Sequence, residues 1–138
     1  MPKEKVCVKW TGDKQFLGTD SGRHSIVLSS HDAANHTGSR PSDLLLIALA
    51  SCSAVDVVNI LQKKRLDLQK LEVEVSSTQD PDPPWTFRKI HLDFRLKGSD
   101  LEAKAVEQAI RLSLEKYCSV AATISGKAEI THGFQLEK

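Results

Sequence analysis

The chain has 138 residues, 40% of them hydrophobic, and 19 basic residues balance 18 acidic ones to a net charge of +1. That length suits a single domain, 1–138, with enough apolar residues for a core, and the balanced charge predicts no nucleic-acid partner. Three cysteines without a C-x-x-C motif do not make a disulfide scaffold or a zinc framework, so a reduced, cytoplasmic setting is expected.

The longest unbroken apolar run, Leu44 to Ala50, is far short of the ~18–20 residues of a membrane span, so no membrane partner is expected. The first ten residues lack the apolar region of a secretory signal. Val6, Val8 and Trp10 alternate with Lys5, Cys7 and Lys9, which predicts a half-buried strand with Cys7 on its more polar face. Strands over 15–19 and 24–29 are joined by the turn sequence Asp20-Ser21-Gly22, and the polar stretch 30–40 reads as a loop.

A long helix follows, with Pro41 at its first position, Asp43 near its positive start, and Lys63, Lys64 and Arg65 at its negative end. Apolar residues occupy nearly every face from Leu44 to Leu61, which predicts burial all round. One small domain cannot easily wrap a rod of that length, so a second subunit is expected to cover part of it. Next come alternating strands through Leu71, Val73, Val75 and through Ile90, Leu92, Phe94, Leu96, separated by the proline-rich stretch 80–84. Ser99-Asp100-Leu101-Glu102 reads as a capping box opening a second helix. A short helical piece from Cys118 and a last strand through Ile130, Phe134 and Leu136 complete an α+β order.

Cys52 lies midway along the long helix among small residues, on a polar stripe with Asp56, Asn59 and Lys63. Taken alone, a cysteine there is most simply a small core hydrophobe. Cys118 adds a second thiol just before a new helical turn, where backbone N–H groups would lower its pKa. The five histidines offer no metal-ligand spacing: His31 and His36 lie in the loop, His24 and His91 read as solvated, and His132 reads as a satisfied core residue. No Walker loop, G-x-S-x-G or G-x-G-x-x-G is present.

Ser39-Arg40-Pro41-Ser42-Asp43-Leu44-Leu45, running on to Ala50-Ser51-Cys52-Ser53-Ala54-Val55-Asp56, resembles the signature helix of the OsmC/Ohr family, the osmotically inducible and organic hydroperoxide resistance proteins. Glu115-Lys116-Tyr117-Cys118-Ser119-Val120 resembles the family's second motif, and the element order agrees end to end. The resemblance implies an intertwined homodimer whose long central helices are enclosed by antiparallel strands. It also implies a thiol peroxidase without cofactor or metal, in which Cys52 attacks a hydroperoxide, Cys118 resolves the product as a disulfide, and a cellular dithiol reduces it. Two other functions are compatible with the fold: a non-enzymatic dimeric protein binding a small ligand, and a slow thiol redox sensor.

The sequence departs from the family pattern in three places. Ser42, followed by Asp43, stands where hydroperoxide members carry a glutamate. Lys14 stands where they carry an arginine, with Arg23 and Arg40 as alternative cations, and Ser119 where a proline is common. A lysine cannot reproduce the forked contacts of arginine, so a weakly activated Cys52 with modest turnover is expected. Cys7, outside both motifs, is expected to take no part.

Overall fold

In the computed structural model, which describes residues 5–138, the chain forms two units that meet in sequence between Leu45 and Leu46. The first holds an antiparallel meander of β1 (Cys7–Gly12), β2 (Gln15–Thr19) and β3 (Ser25–Ser29). The β2–β3 turn is held by Asp20, whose carboxylate accepts the N–H groups of Gly22 and His24 at 2.8 and 2.9 Å. Arg23, not Gly22, takes the left-handed conformation there, at φ 70°. The half-burial expected of β1 is absent in the single chain: Val8 and Trp10 are 65% and 67% exposed. The alternation is present, but within this chain no apolar layer covers it.

Helix α1 (Pro41–Lys63) opens on Pro41 as expected. It ends two residues earlier than expected, because Arg65 turns left-handed at φ 57°. The N–H groups of Arg65 and Leu66 then bond the carbonyls of Gln62 and Leu61, the pairing of a Schellman cap. Within one chain the burial is one-sided. Leu49, Ala50, Ser53, Val57 and Leu61 form the buried stripe, whereas Ile47 and Val55 are 55% and 59% exposed. The helix has the length and apolar content of a membrane span, yet its buried stripe belongs to the packed core of the second unit.

That second unit contains a sheet in the order β4 (Leu68–Gln79), β5 (Phe87–Gly98), β6 (Glu129–Glu137). The expected alternation forms its inner face: Leu71, Val73 and Val75 lie opposite Leu96, Phe94 and Leu92. Ile130, Phe134 and Leu136 lie opposite Ile90, Phe94 and Leu96. β4 and β5 are antiparallel, but β6 runs parallel to β5, a departure from the all-antiparallel expectation. The helical connection between β5 and β6 is long enough to carry the chain back to the same end of the sheet.

The connection comprises α2 (Ala103–Leu112), a π-helical turn (Ser113–Tyr117) and α3 (Ser119–Ile124). The expected capping box does not form. Ser99 donates instead to the Asp67 carboxylate at 2.9 Å, and the Asp100 carboxylate accepts the Asp67 N–H at 2.7 Å, so α2 starts at Ala103. Both side chains are spent on the α1–β4 connection. His132 lies on the inner stripe of β6, half-buried, with Nε2 3.3 Å from the Glu107 carboxylate, in keeping with its reading as a satisfied residue.

Candidate functional site: a thiol pair at the start of α3

Cys52 occupies the middle of α1, half-buried beside the buried stripe. Cys118 is buried between the π-helical turn and α3, in extended backbone conformation at φ −79° and ψ 107°. The fold therefore brings together two cysteines 66 positions apart, each close enough to alter the other's ionisation. Both thiols are free.

Their surroundings act in opposite senses. Cys118 is the N-cap of α3, its Sγ accepting the Ala121 N–H at 3.3 Å. Burial nonetheless pushes its thiol up to about 11, and the neighbouring Cys52 adds to the rise. For Cys52 burial again favours the neutral thiol, but four contacts outweigh it: the Val120 N–H, the Cys118 thiol, the Ser119 hydroxyl and the Ser119 N–H. The net result is a thiol held below its ordinary value. The helix start thus acts to lower both thiols, as the sequence suggested for Cys118, but only at Cys52 does it outweigh burial. The reason is position: Cys118 is the capping residue, buried beneath the turn, while the free N–H groups one and two residues on are offered to the sulfur on α1.

Ser119 is the position where the family pattern commonly has proline. A proline there would supply neither an N–H nor a hydroxyl. Ser119 was legible in the sequence only as a departure, and nothing in its spacing announced a contact with Cys52.

Asp56, one turn along α1 from Cys52, has its carboxylate 2.8 Å from the Ser113 hydroxyl. Of the polar stripe read from the sequence, Cys52 and Asp56 are half-buried, while Asn59 and Lys63 are exposed.

The four candidate orienting residues all lie in the first unit and make their contacts there. Lys14 Nζ is 3.3 Å from the Asp32 carboxylate, and that carboxylate is lowered to about 2, chiefly by the Asn35 amide, with Ser30 and Lys14 also contributing. Arg40 bonds Asp43 at 3.2 Å across the first turn of α1. Arg23 is exposed in the β2–β3 turn. His31 and His36 stack on one another with centroids 4.3 Å apart, and among the described residues no three His, Cys, Asp or Glu side chains converge to hold a metal ion.

With this geometry in view, the comparisons with known proteins agree on a class. Residues 34–133 match the OsmC-like protein family, and the chain belongs to it. Protein YhfA of Escherichia coli K12 is 38% identical over 129 residues, which span 94% of this chain and 95% of YhfA. A crystal structure of a hypothetical protein from Aquifex aeolicus superposes with a TM-score of 0.83 at 30% identity, covering all of both chains. The organic hydroperoxide resistance protein OhrB of Bacillus subtilis shares the fold, with a TM-score of 0.65 at 18% identity over 96% of this chain and 98% of its own.

Proposed function

We propose that this protein is a cysteine-based thiol peroxidase that reduces organic hydroperoxides in defence against oxidative stress, with Cys52 attacking and Cys118 resolving. The observation that carries the reading is the pairing itself: two free cysteines 66 positions apart, one in the middle of α1 and one at the N-cap of α3, brought close enough to alter each other's ionisation. OhrB of Bacillus subtilis, an organic hydroperoxide resistance protein on the same fold, supports the same chemistry.

The reaction balances without a cofactor. Cys52 gives up its proton to solvent, and its thiolate attacks the terminal peroxide oxygen. The S–O bond forms as the O–O bond breaks, and the departing alkoxide takes a proton from solvent to become the alcohol. The resulting Cys52 sulfenic acid is uncharged. One of the influences that raise Cys118 is the charge on Cys52, so oxidation of Cys52 relieves it. Cys118 gives up its proton as its sulfur attacks the sulfenic sulfur, the S–S bond forms as the S–O bond breaks, and the departing hydroxide takes up that proton and leaves as water. A cellular dithiol returns the pair to two thiols by supplying two electrons and two protons.

The working unit in this proposal is a cytoplasmic homodimer. Ile47 and Val55 on α1, and separately Val8 and Trp10 on β1, leave apolar faces uncovered in one chain. A shared core of this kind should bury more than the ~1,200–2,000 Å² of a standard interface. Sedimentation should show a dimer, and a stable folded monomer at micromolar concentration would contradict it.

One observation favours a second reading, a redox sensor that forms the disulfide but turns over slowly. Burial is the first cause of the high Cys118 pKa, and burial persists after Cys52 is oxidised. Consumption of tert-butyl hydroperoxide with dithiothreitol as reductant separates the two. The peroxidase reading expects repeated turnover that Cys52→Ser abolishes and Cys7→Ser leaves intact. A single equivalent consumed per chain, despite excess reductant, selects the sensor.

A further inference from the structure

Ser113 is fully buried and opens the π-helical turn. Its Oγ lies 2.8 Å from Asp56 Oδ2, 2.9 Å from Ser53 Oγ and 3.3 Å from the Ser53 carbonyl oxygen, all three on α1. Its own carbonyl accepts the Cys118 N–H at 2.8 Å, the bond that closes the widened turn. A hydroxyl has one proton and a carboxylate only accepts. The single Ser113 proton therefore goes to Asp56, the only charged acceptor of the three, and the Ser53 hydroxyl and carbonyl oxygens are the weaker acceptors beside it. Among the described residues no buried side-chain polar atom lacks a partner, so this cluster is complete as it stands.

The placement of these bonds matters more than their number. Ser53 follows Cys52 directly, and Asp56 lies one turn along the same helix. The carbonyl of Ser113 holds the residue that resolves the pair, and Ser119 and Val120 follow it. One buried residue thus has its hydroxyl on the helix that bears the first thiol and its carbonyl on the backbone of the second. A π-helical turn is locally wide and poorly self-supporting, and such turns recur at functional sites.

We infer that Ser113, anchored by Asp56, is the positioning residue of the thiol pair: its hydroxyl pins the π-helical turn to α1 beside Cys52, and its carbonyl places Cys118 and the start of α3 against that thiol. Its role in catalysis rests on the peroxidase reading, but its role in geometry does not. Loss of the anchor lets the Ser119 and Val120 N–H groups withdraw from Cys52.

The sign of one substitution separates positioning from charge. Asp56→Ala removes a negative charge one turn from Cys52, which through electrostatics alone would make the thiol more acidic. Positioning expects the reverse. Asp56→Asn keeps an acceptor for the Ser113 proton and should leave Cys52 as acidic as in the parent, or more so.

The experiment is the pH dependence of iodoacetamide alkylation at Cys52, mapped by mass spectrometry in a Cys7→Ser background, with thermal unfolding measured alongside. Ser113→Ala and Asp56→Ala are each expected to move the alkylation midpoint up by about one pH unit, a roughly tenfold loss of rate at pH 7. Asp56→Asn is expected to show no such rise. A lower unfolding temperature with an unchanged or lowered midpoint in both alanine variants would reduce the cluster to a structural hydrogen bond and overturn the inference. Should Ser113→Ala fail to fold, the Asp56→Ala and Asp56→Asn pair, at the half-buried edge of the cluster, decides alone. Peroxide is not used, so a chain inactive as a peroxidase but shifted in alkylation would overturn the proposed function and leave the positioning role standing.

Discussion

The middle of α1 and the turn leading into α3 each contribute one sulfur, and the chain treats the two in opposite ways. Cys118 has a helix start of its own, yet burial keeps it protonated, at about 11. Cys52 belongs to a helix interior, where no backbone N–H is free, and it is eased towards thiolate by groups from the other region. The acidity of Cys52 is therefore set across a contact and not by its own helix. A motif read one helix at a time assigns the stabilised thiol to the wrong cysteine.

The largest test of that contrast is selective labelling. In reduced protein at pH 8, well below the value near 11 for Cys118, Cys52 should be alkylated at least about 100-fold faster, since each pH unit below a thiol's pKa costs about tenfold in thiolate. Peptide-resolved mass spectrometry checks this. Comparable rates at the two sites would break the comparison. Cys52→Ser should quicken labelling of Cys118, because one of the influences that raise it is gone.

A smaller effect is expected of Ser119→Pro. Proline fits the first position of a helix, so α3 should survive, but both Ser119 contacts on Cys52 are lost. The alkylation midpoint of Cys52 should rise by up to about one unit, a tenfold lower rate at pH 7. An unmoved midpoint would leave Val120 and Cys118 as the sufficient donors.

Gly98→Ala sharpens the comparison from outside the site. A β-carbon at Gly98 would lie 2.2 Å from the Asp67 carbonyl oxygen and 2.6 Å from Leu101 Cγ, so backbone must move. A loss of about 1–3 kcal/mol is expected, read as a lower denaturation midpoint, with the labelling ratio of the two thiols unchanged. A changed ratio would mean that the thiols respond to general loosening. The smallest effect belongs to Arg65→Gly, which relieves the left-handed strain at the end of α1 and should stabilise by about 0.5 kcal/mol in the same denaturation measurement.

Most of the framework was legible in the sequence, because it rests on local periodicity. The alternation in β4, β5 and β6 marked the inner sheet face, Pro41 marked the start of α1, and the two motifs brought Cys52 and Cys118 forward as a pair. What stayed hidden depends on long-range partners. Ser99 and Asp100 carry the pattern of a cap but bond the Asp67 connection, 32 and 33 residues away. Ser53 and Ser113 looked like ordinary small residues until the fold placed them against each other, 60 positions apart. The faces of β1 and α1 were read correctly as apolar, but their exposure in a single chain was not legible.

If Cys52 and Cys118 act as one redox pair, a hydroperoxide must link them to each other. Reduced protein is treated with a single equivalent of an organic hydroperoxide, quenched with acid, alkylated in denaturant at pH 8, and mapped by peptide mass spectrometry. The expected product is a species lacking two hydrogens, with a linked Cys52–Cys118 peptide, Cys7 fully alkylated, and the alcohol released in equal amount. Alcohol released with Cys52 and Cys118 both still alkylated as free thiols, or a linkage that includes Cys7, would contradict it.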